Sequence, residues 1–192
     1  MAQTSTTLLS NKTHKADITG TDISFTATGT EYKISATSTS LGNLAQYDLI
    51  TVTGTTNNNS TFTVKSVASD DLSVIVEEVI TTETADGSTT YTINNTGFVS
   101  VKAKGDGYYS QVDGVHTVAY KVDTTLTGSI KMQGTLASTP TEEDWFDISG
   151  TTFTTDQSTT ISSANFTGNF VYVRAKATSI TAGSITSIQL NS

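Results

Sequence analysis

The densest group of ionisable side chains in this 192-residue chain is Glu142, Glu143, Asp144 and Asp147, set around Trp145 and Phe146. Paired carboxylates serve glycoside hydrolases as acid and base, and hard cations such as calcium as ligands. No Asp-x-Asp-x-Asp-Gly run accompanies them, so the spacing matches no EF-hand. The commoner reading of such a stretch is an acidic loop entering a strand whose Trp fills the core. His14 sits in a polar N-terminal segment, and His116 alternates in phase with Val118, Tyr120 and Val122. A His in that phase is more often a satisfied core or rim residue than a catalyst. A whole domain, about a hundred residues of sequence, separates the two, which argues against a shared metal site. There is no Gly-x-Ser-x-Gly elbow, no P-loop and no HExxH. The expectation is a chain that is not an enzyme, with no catalytic, cofactor-binding or metal-binding residues and no cofactor.

A different chemistry is written in FVYVRAKA, residues 170–177. Val171, Val173, Ala175 and Ala177 form one face of a strand with period two, and Phe170, Tyr172, Arg174 and Lys176 form the other. Turned outward, the second set is an aromatic and basic stripe on an acidic protein, the composition of an interface hot spot. Turned inward, it is one side of a sheet packed on both faces, with Arg174 and Lys176 snorkelling to the edge. Leu8 and Leu9 are the sizeable apolar anchors of the N-terminal segment and join the stripe as candidate interface residues. Trp145, Tyr108 and Tyr109 are candidate sugar-stacking platforms.

The elements that must position these side chains are strands. Apolar and polar residues alternate at Ile23 to Ala27, Tyr32 to Ala36, Leu49 to Thr53, Phe62 to Val67, Leu72 to Glu78 and Tyr91 to Ile93. Gly29, Gly42, Gly54, Asp70-Asp71 and Asp86-Gly87 punctuate them as turn signals, and only LGNLAQY at residues 41–47 reads as a helical turn. The pattern changes at Asn94-Asn95-Thr96-Gly97, which marks a domain boundary. Beyond it, strands are expected at residues 115–122, 128–136, 145–148, 168–177 and 184–190, with turns at GDGYY (105–109) and at Asp113. The reading is all-β: an extended N-terminal arm (1–15), a small β-barrel or sandwich (16–97), and a jelly-roll or immunoglobulin-like antiparallel β-sandwich (98–192). No βαβ alternation appears, so α/β nucleotide-binding folds are excluded.

Composition narrows the partners. Thr makes up about a fifth of the chain, favouring strands. A formal net charge of -8 counts against nucleic acid as a partner, and no stretch has the length of a transmembrane helix. The N-terminus lacks the apolar core and small-residue cleavage site of a signal peptide. The absence of Cys removes disulfides, thiolate metal sites and a cysteine nucleophile, so the composition ties the chain to no particular redox compartment.

DLITVTGTTNNNSTFTVKSV (48–67) followed by DDLSVIVEE resembles a module of tailed-bacteriophage structural proteins. That module reads Gly-Asp-x-Ile-x-Val-x-Gly, then Asn-Asn-Gly-Thr-Phe-x-Val, then a short Leu-x-Val strand. Here the pattern is carried by Asp48, Ile50, Val52, Gly54, Asn58, Thr61, Phe62, Val64, Leu72 and Val74. It departs at Tyr47, where Gly is usual, and at Asn59-Ser60, where Asn-Gly is usual. The C-terminal half, with GSIKMQGTL, DWFDI, FVYVRAKAT and AGSITSIQL, is similar to the sandwich of phage head-decoration and fibre-associated proteins. The resemblance implies a virion structural protein, foremost a capsid decoration (cement) protein that binds the major capsid protein or other virion subunits and forms a homo-oligomer on the particle. A tail, neck or baseplate component and a carbohydrate-binding adhesion module are the alternatives.

Overall fold

The computed structural model describes residues 5–105, 114–155 and 158–191. It is all-β apart from one 3-10 turn at Glu142–Asp144, and the described pairings are antiparallel. Two compact units form: Lys15–Gly97, and a larger one made of Met1–His14 with Phe98–Ser192. The smaller unit is therefore inserted into the larger one after its first strand. Among the described residues, no helix is long and apolar enough to cross a membrane.

The larger unit begins with β1 (Ser5–Thr13), and this overturns the expected free arm. β1 pairs with the C-terminal strand, and Leu8 and Leu9 are both buried in the core. A bulge between Thr7 and Leu9 shifts the register, which lets two consecutive leucines face inward. Polar Thr and Ser residues disguise the strand because its other face is wet. The chain later returns to this unit as β9 (Ala103–Lys104), β10 (Val115–Val122), β11 (Thr127–Thr135), β12 (Phe146–Asp147), β13 (Phe153–Thr154), β14 (Ile161–Thr167), β15 (Tyr172–Ala182) and β16 (Ser184–Asn191). One sheet has the order β1-β16-β10-β14; a second contains β12-β11-β15, with β13 also on β11 and β9 on β15. Between them lie Leu8, Tyr120, Ile130, Met132, Val173 and Ile188, the core of a β-sandwich.

The smaller unit holds β2 (Ile18–Gly20), β3 (Ile23–Ala27), β4 (Tyr32–Ala36), β5 (Asp48–Thr53), β6 (Thr61–Val67), β7 (Ser73–Val76) and most of β8 (Tyr91–Val99). Its strand order is β8-β5-β6-β7-β4-β3, with β2 on β8. No ladder joins β2 to β3 among the described residues, so this sheet curls about its core of Ile23, Phe25, Ile34, Ile50, Val64 and Val74 without closing into a barrel. Residues 41–47 make tight turns, not a helix. β8 runs without interruption through Asn94-Asn95-Thr96-Gly97, and the division between the two units falls within it, right after Gly97, where the sequence placed the boundary. Asn95 is buried there, and its amide donates to the carbonyls of Leu49 and Gly97.

The Asn-rich turn after β5 is a clip. Asn58 is buried; its amide donates to Thr81 O and Glu83 Oε2, and its own carbonyl accepts from Thr81 N. The Glu83 carboxylate also takes the backbone N–H groups of Thr56 and Asn57. Tyr47 adopts φ 72, the left-handed conformation that glycine, the usual residue of the resembling module, takes without strain. At the turn itself the positive φ falls on Gly54 (φ 89), where a Cβ would come within 2.6 Å of the Thr90 carbonyl.

Candidate interaction face around Arg174

β11 and β15 pair with Lys131 opposite Lys176, Gln133 opposite Arg174 and Thr135 opposite Tyr172. The alternating residues Ile130 and Met132 face the core, as do Val173, Ala175 and Ala177. The remaining side chains share the other face of the sheet, as the period of FVYVRAKA implies. β12 extends the row, placing Asp147 opposite Gln133.

Arg174 is central to this face and only 4% exposed. Its Nη1 and Nη2 donate to the two carboxylate oxygens of Glu142, at 2.5 and 2.8 Å. Its Nε donates to Gln133 Oε1 at 3.0 Å, and its guanidinium lies 4.2 Å from the centre of the Trp145 ring. The Gln133 amide donates to Asp147 Oδ1 at 2.9 Å, and the other Asp147 oxygen accepts from Lys131. Five hydrogen-bonded side chains, with Trp145 stacked against them, thus form a continuous network with a bidentate ion pair at its centre. The 3-10 turn that offers Glu142 is itself tied, because Asp144 accepts from the Thr141 backbone and hydroxyl. At the flank, Lys102 Nζ lies 4.6 Å over the half-buried Tyr172 ring.

This geometry corrects the outward stripe. Tyr172, Arg174 and Lys176 do share a face, but Arg174 is packed and paired inside it. Phe170 does not belong to that face at all: it precedes β15, and its ring is buried over Gly134 and Gly168. A Cβ at Gly134 would lie 2.6 Å from the Phe170 ring, so the glycine makes room for it. Leu8 and Leu9 are core residues of the same unit, not anchors for a neighbour. Trp145 is half-buried on the network face and does not fill the core; Ile148 is the residue of that stretch that enters it. One face of the Trp145 ring is taken up by Arg174. Tyr108 and Tyr109, like Asp106 and Asp113, lie outside the described residues.

The acidic stretch is likewise divided among separate partners: Glu142 with Arg174, Asp144 with Thr141, and Asp147 with Lys131 and Gln133. Burial alone pushes the Asp147 carboxyl up, but donation from Lys131 and Gln133 outweighs it and holds the group below the ordinary range. Hydrogen bonds from the backbone and hydroxyl of Thr141 lower Asp144. Elsewhere, Asp22 is lowered by the hydroxyls of Thr39 and Ser38 and by backbone N–H groups, and Asp86 by the hydroxyl and N–H of Thr89. Glu83 and Asp123 follow Asp147, with burial opposing and the donors prevailing.

The histidines lie apart from this face. His14 donates its backbone N–H to Gly183, at the turn between β15 and β16. His116 is buried, stacked on Phe166 at 4.8 Å, with Phe170 at 6.1 Å. Among the described residues, no three His, Cys, Asp or Glu side chains gather as metal ligands. The residues that sequence reasoning did not connect are Glu142, Gln133 and Lys131. Lys131 and Gln133 alternate with Ile130 and Met132, which was the available signal for a polar face opposite Arg174. In comparisons with known proteins, no family model, no curated protein and no solved structure matches the chain.

Proposed function

We propose that this chain is a non-enzymatic structural component of a tailed-phage particle, foremost a decoration protein bound to the capsid lattice. The observation that carries the reading is where the ionised groups are spent. Each described carboxylate whose pKa moves is moved downward by donors of the chain itself, at Asp22, Glu83, Asp86, Asp123, Asp144 and Asp147. A general acid needs the opposite, a carboxyl raised towards the working pH. Carboxylates held ionised by hydroxyls and backbone N–H groups brace loops. Arg174 is used in the same way, as a rivet across β11, β15 and the Glu142 turn. The resemblance of residues 48–78 and of the C-terminal half to phage structural modules supplies the rest.

The test is reconstitution. Purified protein is added to particles that lack it, and the bound amount is measured as a ratio to the major shell subunit. Saturation at a fixed ratio to the whole lattice is expected. Binding at a few sites only assigns the chain to the tail or neck, and no binding overturns the reading.

A further inference from the structure

We propose that β14 is a dimerisation edge, and that two copies of this chain join their four-stranded sheets there into one antiparallel sheet of eight. The inference concerns the larger unit alone and stands independently of the phage reading.

Sheet edges in folded proteins are blunted by shortness, bulges, charge, proline or a covering segment. The other edges among the described residues follow that rule. β1 carries the Thr7/Leu9 bulge, a positive φ at Asn11 and then Lys12. β2, β9, β12 and β13 are two or three residues long. β3 is covered by residues 82 and 83, which bond Phe25 and Ala27. β14 differs. Its seven residues, ISSANFT, pair with β10 in unbroken register, contain no charge and no proline, and have no second neighbour among the described residues.

The register fixes which backbone groups point away from β10. Val122 N donates to Thr160 O at one end, and Gly168 N donates to Gly114 O at the other. Hydrogen-bonded pairs alternate along an antiparallel ladder, so the even-numbered residues bond β10. The N–H and C=O groups of Ile161, Ser163, Asn165 and Thr167 therefore face outward. The same four side chains are exposed, Ile161 at 63%.

This edge is complementary to itself. A two-fold axis at Ala164 sets Ile161 opposite Thr167 of the second copy, and Ser163 opposite Asn165, so all four outward residues become hydrogen-bonded pairs. Centring the axis one or two residues away leaves some of them unmatched. The row through Thr167 then reads Val115, Thr167, Ile161 of the second copy, Lys121 of the second copy, following the registers within each sheet. Val115 and Ile161, two of the large apolar side chains left exposed, are thereby gathered at the junction. On the inward side the axis brings together Ala164 from both copies, small enough for the backbones to approach. Each chain carries a net charge of -8, but the edge carries none, so repulsion between copies is long-range and screened by salt.

The experiment is sedimentation equilibrium of the full chain over a concentration series, at low and high salt, on three proteins. The wild type is expected to show a monomer–dimer equilibrium that tightens with salt. S163E/N165E places like charges opposite each other twice and is expected to weaken dimerisation by about tenfold or more. S163K/N165E places opposite charges at the same positions and is expected to restore it. Both substituted positions lie on the exposed outer face, and thermal unfolding checks that the fold survives. Hydrogen exchange of the wild type gives a second readout: the amides of Ile161, Ser163, Asn165 and Thr167 gain protection as concentration rises. A wild type that stays monomeric in high salt overturns the proposal. So does a dimer that S163E/N165E leaves intact, or one that leaves those four amides exchanging at the monomer rate.

Discussion

At the scale of single residues, Arg174 and Asn58 are two buried polar side chains that each tie together segments distant in sequence. Arg174→Ala removes the partner of Glu142 and of Gln133 and uncovers Trp145. Breaking a buried pair costs about 3–5 kcal/mol, and the partial exposure of Glu142 reduces this to about 2 kcal/mol. At about 2–4 °C per kcal/mol, thermal unfolding should come about 4–8 °C earlier. Arg174→Lys should recover little, since an ammonium offers neither the fork nor the flat stack. An unchanged melting temperature in Arg174→Ala would mean the network is surface decoration. Asn58→Ala strands the Thr81 N–H and frees the Asn-rich turn from the segment at 81–83. About 2 kcal/mol of destabilisation is expected, measured by denaturant unfolding, and unchanged stability would contradict the clip.

At the scale of elements, β1 is a structural strand. Deleting residues 2–13 should abolish cooperative unfolding of the larger unit, because it removes Leu8 and Leu9 from the core and strips β16 of one of its two neighbouring strands. Leu8→Ala alone should cost about 2–5 kcal/mol. A deleted protein that unfolds as cooperatively as the full chain would contradict this. β8 gives the complementary case. Protease should spare the backbone between Ile93 and Val99, because a continuous and largely buried strand lies there. These two elements also mark where reading the sequence succeeds and where it stops. β3, β4 and β10 keep strict alternation about one core face, and their limits follow directly from the residues. β1 breaks the period at its bulge, with Leu8 and Leu9 adjacent and both buried. β14 has one buried large side chain, Phe166, and β8 hides inside an Asn-Asn-Thr-Gly run whose Asn95 is satisfied internally. Of the site, the shared face of Tyr172, Arg174 and Lys176 was legible from period two. The burial of Arg174 was not, because its partner Glu142 comes from a turn 32 residues away.

At the scale of the whole molecule, the lowered carboxylates predict how stability responds to acid. A carboxyl whose pKa is lower folded than unfolded stabilises the fold above its unfolded value, about 4, and that contribution is lost as pH falls through the folded value. Asp22, Glu83, Asp86, Asp123, Asp144 and Asp147 all have this sign. The melting temperature should therefore be level near neutrality and drop progressively below about pH 4. A maximum in acid would contradict the assignment. The most direct test is a density map of purified particles, searched with the larger unit alone. The account predicts its β-sandwich repeated over the shell lattice in a fixed ratio to the major subunit. Particles of full composition that hold no density for this sandwich would contradict it.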